Sequence, residues 1–102
     1  MAGVGKLMKQ AAKMQKKMQE LQDELATQTL EVSSGGGAVK VVVTLQQAVN
    51  GLEIDEEFLK EDKAMVEETI LEAFREALEQ SKAKSEEAMN AITQSAQMPG
   101  LF

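Results

Sequence analysis

The feature that most constrains this chain is a seam of apolar residues near its start. Leu7, Ala11, Met14, Met18, Leu21 and Leu25 are separated by four, three, four, three and four residues. An α-helix turns about 100° per residue, so this alternation keeps all six on one stripe. Most of the intervening residues are Lys, Gln, Glu and Ala, which favour helix. The spacing predicts a helix from about Lys6 to Ala26. Fewer than three heptads are present, and the flanking positions are mostly Gln rather than opposite charges. The seam therefore reads as a face that packs along its length, and less as a free-standing coiled coil.

After Thr27-Gln28-Thr29 the period switches to two. Leu30-Glu31-Val32-Ser33 alternates apolar and polar, as a half-buried strand does. Ser34-Gly35-Gly36-Gly37 follows, and glycine supplies the positive φ that a tight hairpin needs. Val39, Val41, Val43 and Leu45 then alternate with Lys40, Val42 and Thr44 in the strongest strand pattern of the chain. Gln46-Gln47-Ala48 reads as a turn, and Val49 to Asp55 as a returning strand with Leu52 and Ile54 inward. Asn50-Gly51 offers an alternative turn. Asp55-Glu56-Glu57-Phe58-Leu59 reads as a short helical turn capped by Asp55, and Asp62 as the cap of a long helix from about Lys63 to Ile92. That helix carries a core stripe of Val66, Ile70, Ala73, Phe74 and Ala77. Beyond Leu78 it is polar on nearly every side, as expected of a helix that enters solvent or meets a partner.

The elements do not match in length. Helices of about twenty and thirty residues run roughly 30 and 45 Å, whereas strands of six to eight residues reach only about 20–27 Å. Both helices must overhang the sheet. Part-apolar overhangs need cover, and a second copy of the chain is the simplest source.

Composition narrows the chemistry. The 102 residues include no His, Cys, Trp or Tyr, which removes the commonest general base, the thiol nucleophile and thiolate metal sites. No nucleophile elbow or Ser-x-x-Lys arrangement is present. Glu53, Asp55, Glu56, Glu57, Glu61 and Asp62 crowd one end of the sheet. They lack the spacing and glycine of a calcium loop and read as caps and solvated faces. The glycine run lies between strands and lacks a following Lys, so it reads as a hairpin and not a phosphate loop. Of the seven methionines, Met8, Met14, Met18, Met65 and Met89 read as adaptable packing.

Charge is more informative. The net charge is −6, which taken whole disfavours nucleic acid and anionic membranes. Yet Lys6, Lys9, Lys13, Lys16 and Lys17 precede the first acidic residue, Glu20, and the rest of the chain sets six basic residues against seventeen acidic. On a helix these lysines fall within an arc of about 100°, centred roughly 125° from the apolar seam. A solvated helix face usually mixes signs. This one is cationic over three turns and suits duplex phosphates, an acidic protein or an anionic lipid surface.

Leu7-Met8-Lys9-Gln10-Ala11, Met14-Gln15 and Met18-Gln19-Glu20-Leu21-Gln22 are followed in order by Gly35-Gly36-Gly37-Ala38-Val39-Lys40-Val41, Ile54-Asp55 with Leu59, Met65-Val66-Glu67-Glu68, Ala73-Phe74, Ala77 and finally Met98-Pro99-Gly100-Leu101-Phe102. This order resembles, end to end, the YbaB/EbfC family of bacterial nucleoid-associated proteins. The resemblance implies homodimers whose sheets combine, with helices projecting as tweezer-like arms. It also implies binding, coating or compaction of duplex DNA, an effect on gene expression, and neither cofactor nor catalysis. Two departures stand in the sheet region: Gln46-Gln47 where the family often has Asn-Gly, and Ile54-Asp55-Glu56 where it usually has Ile-Asp-Pro.

The expected fold is α+β: a long N-terminal helix, a three-stranded antiparallel meander and a long C-terminal helix, forming one domain over residues 1–102 in an intertwined homodimer. Residues 1–5 and 93–102 are expected to be loosely held. Leu7, Met14, Met18, Leu21, Leu25, Val39, Val41, Val43, Ile70 and Phe74 are the expected core and dimer-packing residues. The expected partners are duplex DNA and a second copy, without membrane, small-molecule substrate, metal or cofactor, in the cytoplasm at the nucleoid. Lys6, Lys9, Lys13, Lys16 and Lys17 are the expected DNA contacts, with Lys82 and Lys84 as helpers. An alternative is a clamp or adaptor that grips another protein between its arms. A membrane-surface helix needs a bulkier apolar face than Leu, Met and Ala provide.

Overall fold

The computed structural model describes residues 2–96. Helix α1 (Ala2–Thr27) leads into strands β1 (Thr29–Ser34), β2 (Val39–Thr44) and β3 (Val49–Ile54). A single 3-10 turn at Phe58–Lys60 precedes helix α2 (Lys63–Ala96). The three strands form one antiparallel sheet in the order β1-β2-β3, the expected meander. Both helices are longer than their apolar spacing predicts. They take in residues 2–5 and 93–96, which were expected to be loosely held; residues 97–102 lie outside the described residues.

α1 ends where its helix formers give way to Thr27-Gln28-Thr29, and the Thr27 hydroxyl donates to the Glu24 carbonyl at 3.0 Å. At the first hairpin Gly35, Gly36 and Gly37 all have positive φ, which an L side chain rarely adopts. Gly35 carries a second demand, because a Cβ there would stand 2.8 Å from Cγ2 of Thr69 on α2. The Thr69 hydroxyl donates to the Met65 carbonyl at 2.8 Å, which holds that methyl group in place.

The second turn has no glycine, and Gln47 itself takes the left-handed conformation with φ of 62°. Its side-chain amide donates to the Leu45 carbonyl at 3.1 Å and to the Ser81 hydroxyl at 3.0 Å. Those bonds hold the strained residue in place. Asn50-Gly51 lies within β3 and is not a turn. The pairing shifts there, with Val42 opposite Gly51 but Val43 opposite Val49. This bulge absorbs Asn50 and brings Val49 and Leu52 to the same face of the sheet.

α2 crosses that face above β1 and β2. Ala73 and Ala77, fully buried, let the helix approach Val32, Val39, Val41 and Val43, with Ile70 and Phe74 packed at the margin. Asp62 caps α2 as expected, its carboxylate accepting from the Met65 N–H at 3.4 Å. Asp55 does not act as a side-chain cap. Its backbone carbonyl instead accepts from the Phe58 and Leu59 N–H groups, and no side chain caps the 3-10 turn.

Three further expectations need correction. The distal half of α2 is not polar all round: Ser81 is buried, and Ala88, Met89 and Ile92 pack on Leu21 and Leu25 of α1 and Leu45. The partner it meets is the other helix of its own chain. Leu52 shares a face with Val41, its cross-strand neighbour, but α2 does not reach over β3 and leaves Leu52 47 % exposed. Leu7 is 58 % exposed and Met14 and Met18 only half-buried within this chain, because among the described residues nothing lies beside the first turns of α1. The molecule measures 71 × 23 × 16 Å, with a radius of gyration of 20.1 Å where a compact chain of this length would give about 13 Å.

The two demands on Gly35 can be separated by substitution. Gly36→Ala meets open space and should lose about 1 kcal/mol of stability, from backbone strain alone. Gly35→Ala adds the collision with Thr69 and should lose roughly 2–4 kcal/mol. Urea denaturation of the two variants and the parent measures the difference.

Candidate nucleic-acid interface

The candidate surface is built on the overhang of α1. The Leu45 N–H donates to the carbonyls of both Leu25 and Gln28, at 3.1 and 3.0 Å, and this fixes the end of α1 against the second turn. At the same end of the sheet the Ser81 hydroxyl donates to the Thr44 carbonyl at 2.7 Å, which fixes the middle of α2. From there the helices run side by side and antiparallel. Gln22 lies beside Met89, and Ile92 beside Lys17, Glu20, Leu21 and Glu24. Extending that register puts Ala96 near Lys16. The first fourteen or so residues of α1 therefore reach about 20 Å past the described end of α2.

Lys6, Lys9, Lys13, Lys16 and Lys17 are all exposed on this arm. They span about 17 Å of helix, a reach that covers several phosphates of a duplex carrying one charge per ~1.7 Å of axis. Among the described residues the side-chain ion pair present is Lys60 with Glu57 at 3.1 Å, so these five ammonium groups have no carboxylate within bonding distance. The structure thus brings together the five residues that the sequence grouped.

It does not bring Lys82 and Lys84 to them. Both are exposed, but two residues on a helix point about 160° apart, so they share no face. They also lie on the sheet side of the Leu21–Leu25 contact, on the order of 15 Å or more from Lys17 along the arm.

Several residues that position the arms escaped the sequence reading. Gln46 donates to the Gln22 carbonyl and to its side-chain oxygen, at 2.9 and 3.0 Å. Gln47 and Ser81 form the second link between turn and helix. Polar residues at a turn carry no periodic signal, and Ser81 looks like surface until its burial is known. The one clue was a turn that lacked the expected glycine.

A second surface lies over β3. Val49, at 49 % exposure, and Leu52 form its floor. Glu72 of α2 faces Ser34 of β1, so the opposite flank of the helix, with Leu71 and Leu78, is turned toward β3. Leu71 and Leu78 are both exposed. A shallow cleft at the far end of the sheet, lined by Lys40, Glu53, Asp55 and Glu56 among others, is acidic and remote from the lysine arm. Among the described residues no group of three or more Asp or Glu side chains is placed to hold a metal ion, and no helix is long and apolar enough to cross a membrane.

Comparison with known proteins agrees with this architecture. A solved structure of the uncharacterized protein HP0035 from Helicobacter pylori superimposes with a TM-score of 0.66 at 20 % sequence identity, covering 76 % of this chain and 92 % of that one. At that identity the likeness establishes the fold alone. A nucleoid-associated protein of Pelotomaculum thermopropionicum is 41 % identical over 100 residues, spanning 97 % of this chain and 95 % of the relative. The model of the YbaB/EbfC DNA-binding family matches residues 1–96, both arms and the sheet between them, and the chain belongs to that family.

Proposed function

We propose that this protein is a dimeric nucleoid-associated protein that grips duplex DNA by its phosphates, with weak sequence selectivity, through Lys6, Lys9, Lys13, Lys16 and Lys17 of each arm. The observation that carries this reading is a projecting helix with five exposed lysines and no acidic residue before Glu20. Lysine is a flexible point charge that suits phosphate oxygens, whereas base reading relies on the rigid fork of Arg or on Asn and Gln in a groove. The chain's one arginine, Arg75, lies on α2 above the sheet, away from the arm. Aromatic platforms for unpaired bases are missing from the arm, so duplex is the expected form. The name of the Pelotomaculum relative and the family's description support the same reading. They also support a place at the nucleoid; an effect on DNA compaction and expression is part of the proposal.

The dimer enters the proposal through the surface over β3. Val49, Leu52, Leu71 and Leu78 form an apolar patch beside an unpaired strand edge, and such a patch marks an interaction site. Two copies joined there would cover it and would present two lysine arms from one body. No step of this reading requires a catalytic group, cofactor or small-molecule substrate.

Fluorescence anisotropy with a duplex over a range of salt tests the contact. If about six phosphates are neutralised per dimer, log K should fall against log salt with a slope near −5. Binding that persists through high salt would favour an apolar protein clamp instead. Changing Lys9, Lys13 and Lys16 together to Glu should abolish binding while the circular dichroism spectrum stays that of the parent, since all three are exposed. A triple variant that binds DNA as well as the parent would refute the lysine-arm contact.

Leu52→Asp places a charge in the centre of the β3 patch. Light scattering should then report a monomer, and loss of the second arm should weaken DNA binding by about 100-fold. A variant that stays dimeric would move the interface elsewhere.

A further inference from the structure

The overhang of α1 has a second face, which the phosphate contact does not use. Val4 lies one heptad before Ala11 and extends the apolar seam to Val4, Leu7, Ala11 and Met14. Leu21 and Leu25, at the other end of the seam, are buried against α2 and Leu45. Val4 and Leu7 are more than half exposed, and among the described residues nothing packs on them. The lysines are centred about 150° around the helix from this part of the seam. The flanking positions, Met8, Gln10 and Gln15, are uncharged.

We propose, building on the DNA-binding reading above, that this seam is a docking surface for the same segment of a second dimer, and that neighbouring dimers on DNA pair arm to arm. The seam is self-complementary. In an antiparallel pair centred near Lys9, Ala11 of one copy faces Leu7 of the other, and Val4 faces Met14, so each large side chain meets a smaller one. The centre of that register coincides with the middle of the uncovered segment, so pairing covers what α2 leaves open. Lys6, Lys9, Lys13 and Lys16 stay on the outer face, free to hold phosphates while the seams are in contact.

The contact is conditional by its size. It runs for about 15 Å of helix, which falls well short of the ~1,200 Å² that a stable interface buries. Off DNA, five like charges on each arm oppose close approach. On DNA the phosphates neutralise those charges, and adjacent binding raises the local concentration of arms. An anionic lipid surface would also match a cationic amphipathic helix. The seam's short, non-aromatic side chains fit a narrow helix contact better.

The test compares the parent with the double variant Val4→Ser, Leu7→Ser, which keeps every lysine and changes only exposed positions. Circular dichroism confirms that the helix is kept. On a duplex that seats one dimer, both proteins should bind alike. On a duplex several times longer, the parent should bind cooperatively. The variant should lose that steepness, and its midpoint should rise by about tenfold. Equal steepness and midpoint on the long duplex would overturn arm pairing, as would an equal loss on both duplexes, which places the seam's contact within one dimer or on DNA itself. Failure of the parent to bind the short duplex would instead refute the DNA-binding reading, and pairing on DNA with it. Sedimentation with vesicles containing anionic lipid closes the remaining route: retention of the parent but not of the variant would assign the seam to lipid and overturn the proposal.

Discussion

The structure depends on one junction, where Leu45 meets Leu25. A single backbone N–H reaches the Leu25 carbonyl in the last turn of α1 and the Gln28 carbonyl just past its end. Around it Leu21, Leu25 and Leu45 are buried against Leu30, Ala88, Met89 and Ile92. A helix end leaves carbonyls without intrahelical partners, and here a β-turn satisfies them. The same contact therefore ends α1 and fixes its direction relative to the sheet. Ser81 does the matching task for α2. A larger apolar residue at that place would keep the helix away from the Thr44 carbonyl, whereas a small hydroxyl both fits and donates. The arms are straight because they are helices, but their direction is set by a few side chains at the turn.

The rest of the core is built to leave a gap. Ala73 and Ala77 bring α2 close to β1 and β2, and a single helix cannot also cover β3. The bulge at Asn50 then turns Val49 as well as Leu52 into the uncovered space. Each feature is unremarkable in isolation. Together they make a sheet with one apolar face of which about two strands are satisfied within the chain. The same incompleteness recurs at the tip of α1, where half of one continuous seam is used and half is not. Among the described residues two apolar surfaces are thus left uncovered, and such surfaces mark interaction sites.

What the sequence made legible follows from what repeats. The seam of α1, the alternation of β2 and the acid-free lysine run each rest on four or more residues in register, and the structure forms the helix and the strand that these periods predict. Non-repeating features were lost. Leu52 was assigned inward by parity, which is correct for the face but silent on whether anything covers that face. Leu7 was assigned to packing by the same period as Leu25, although one end of a long helix can be buried and the other bare. Ser81 and Gln47 act through single hydrogen bonds across thirty-four residues, and no local pattern encodes such a bond. Lys82 and Lys84 look like a pair in sequence and face opposite ways on a helix.

The remaining tension is that a chain of net charge −6 belongs to a DNA-binding family. Geometry resolves it. Ile54 pairs with Val39 at the glycine-turn end of the sheet, so Glu53, Asp55, Glu56, Glu57, Glu61 and Asp62 gather at the end remote from the arms. α1 leaves from the other end, and the molecule is 71 Å long. At physiological ionic strength the Debye length is about 8 Å, so these carboxylates are screened from a phosphate that touches Lys6 or Lys13. On the proposed contact a duplex would meet the local charge of the tip, where no acidic residue precedes Glu20. The acidic body then has a use of its own. On the proposed contact it would disfavour any approach that lays the sheet along the duplex, and so favour contact by the arms.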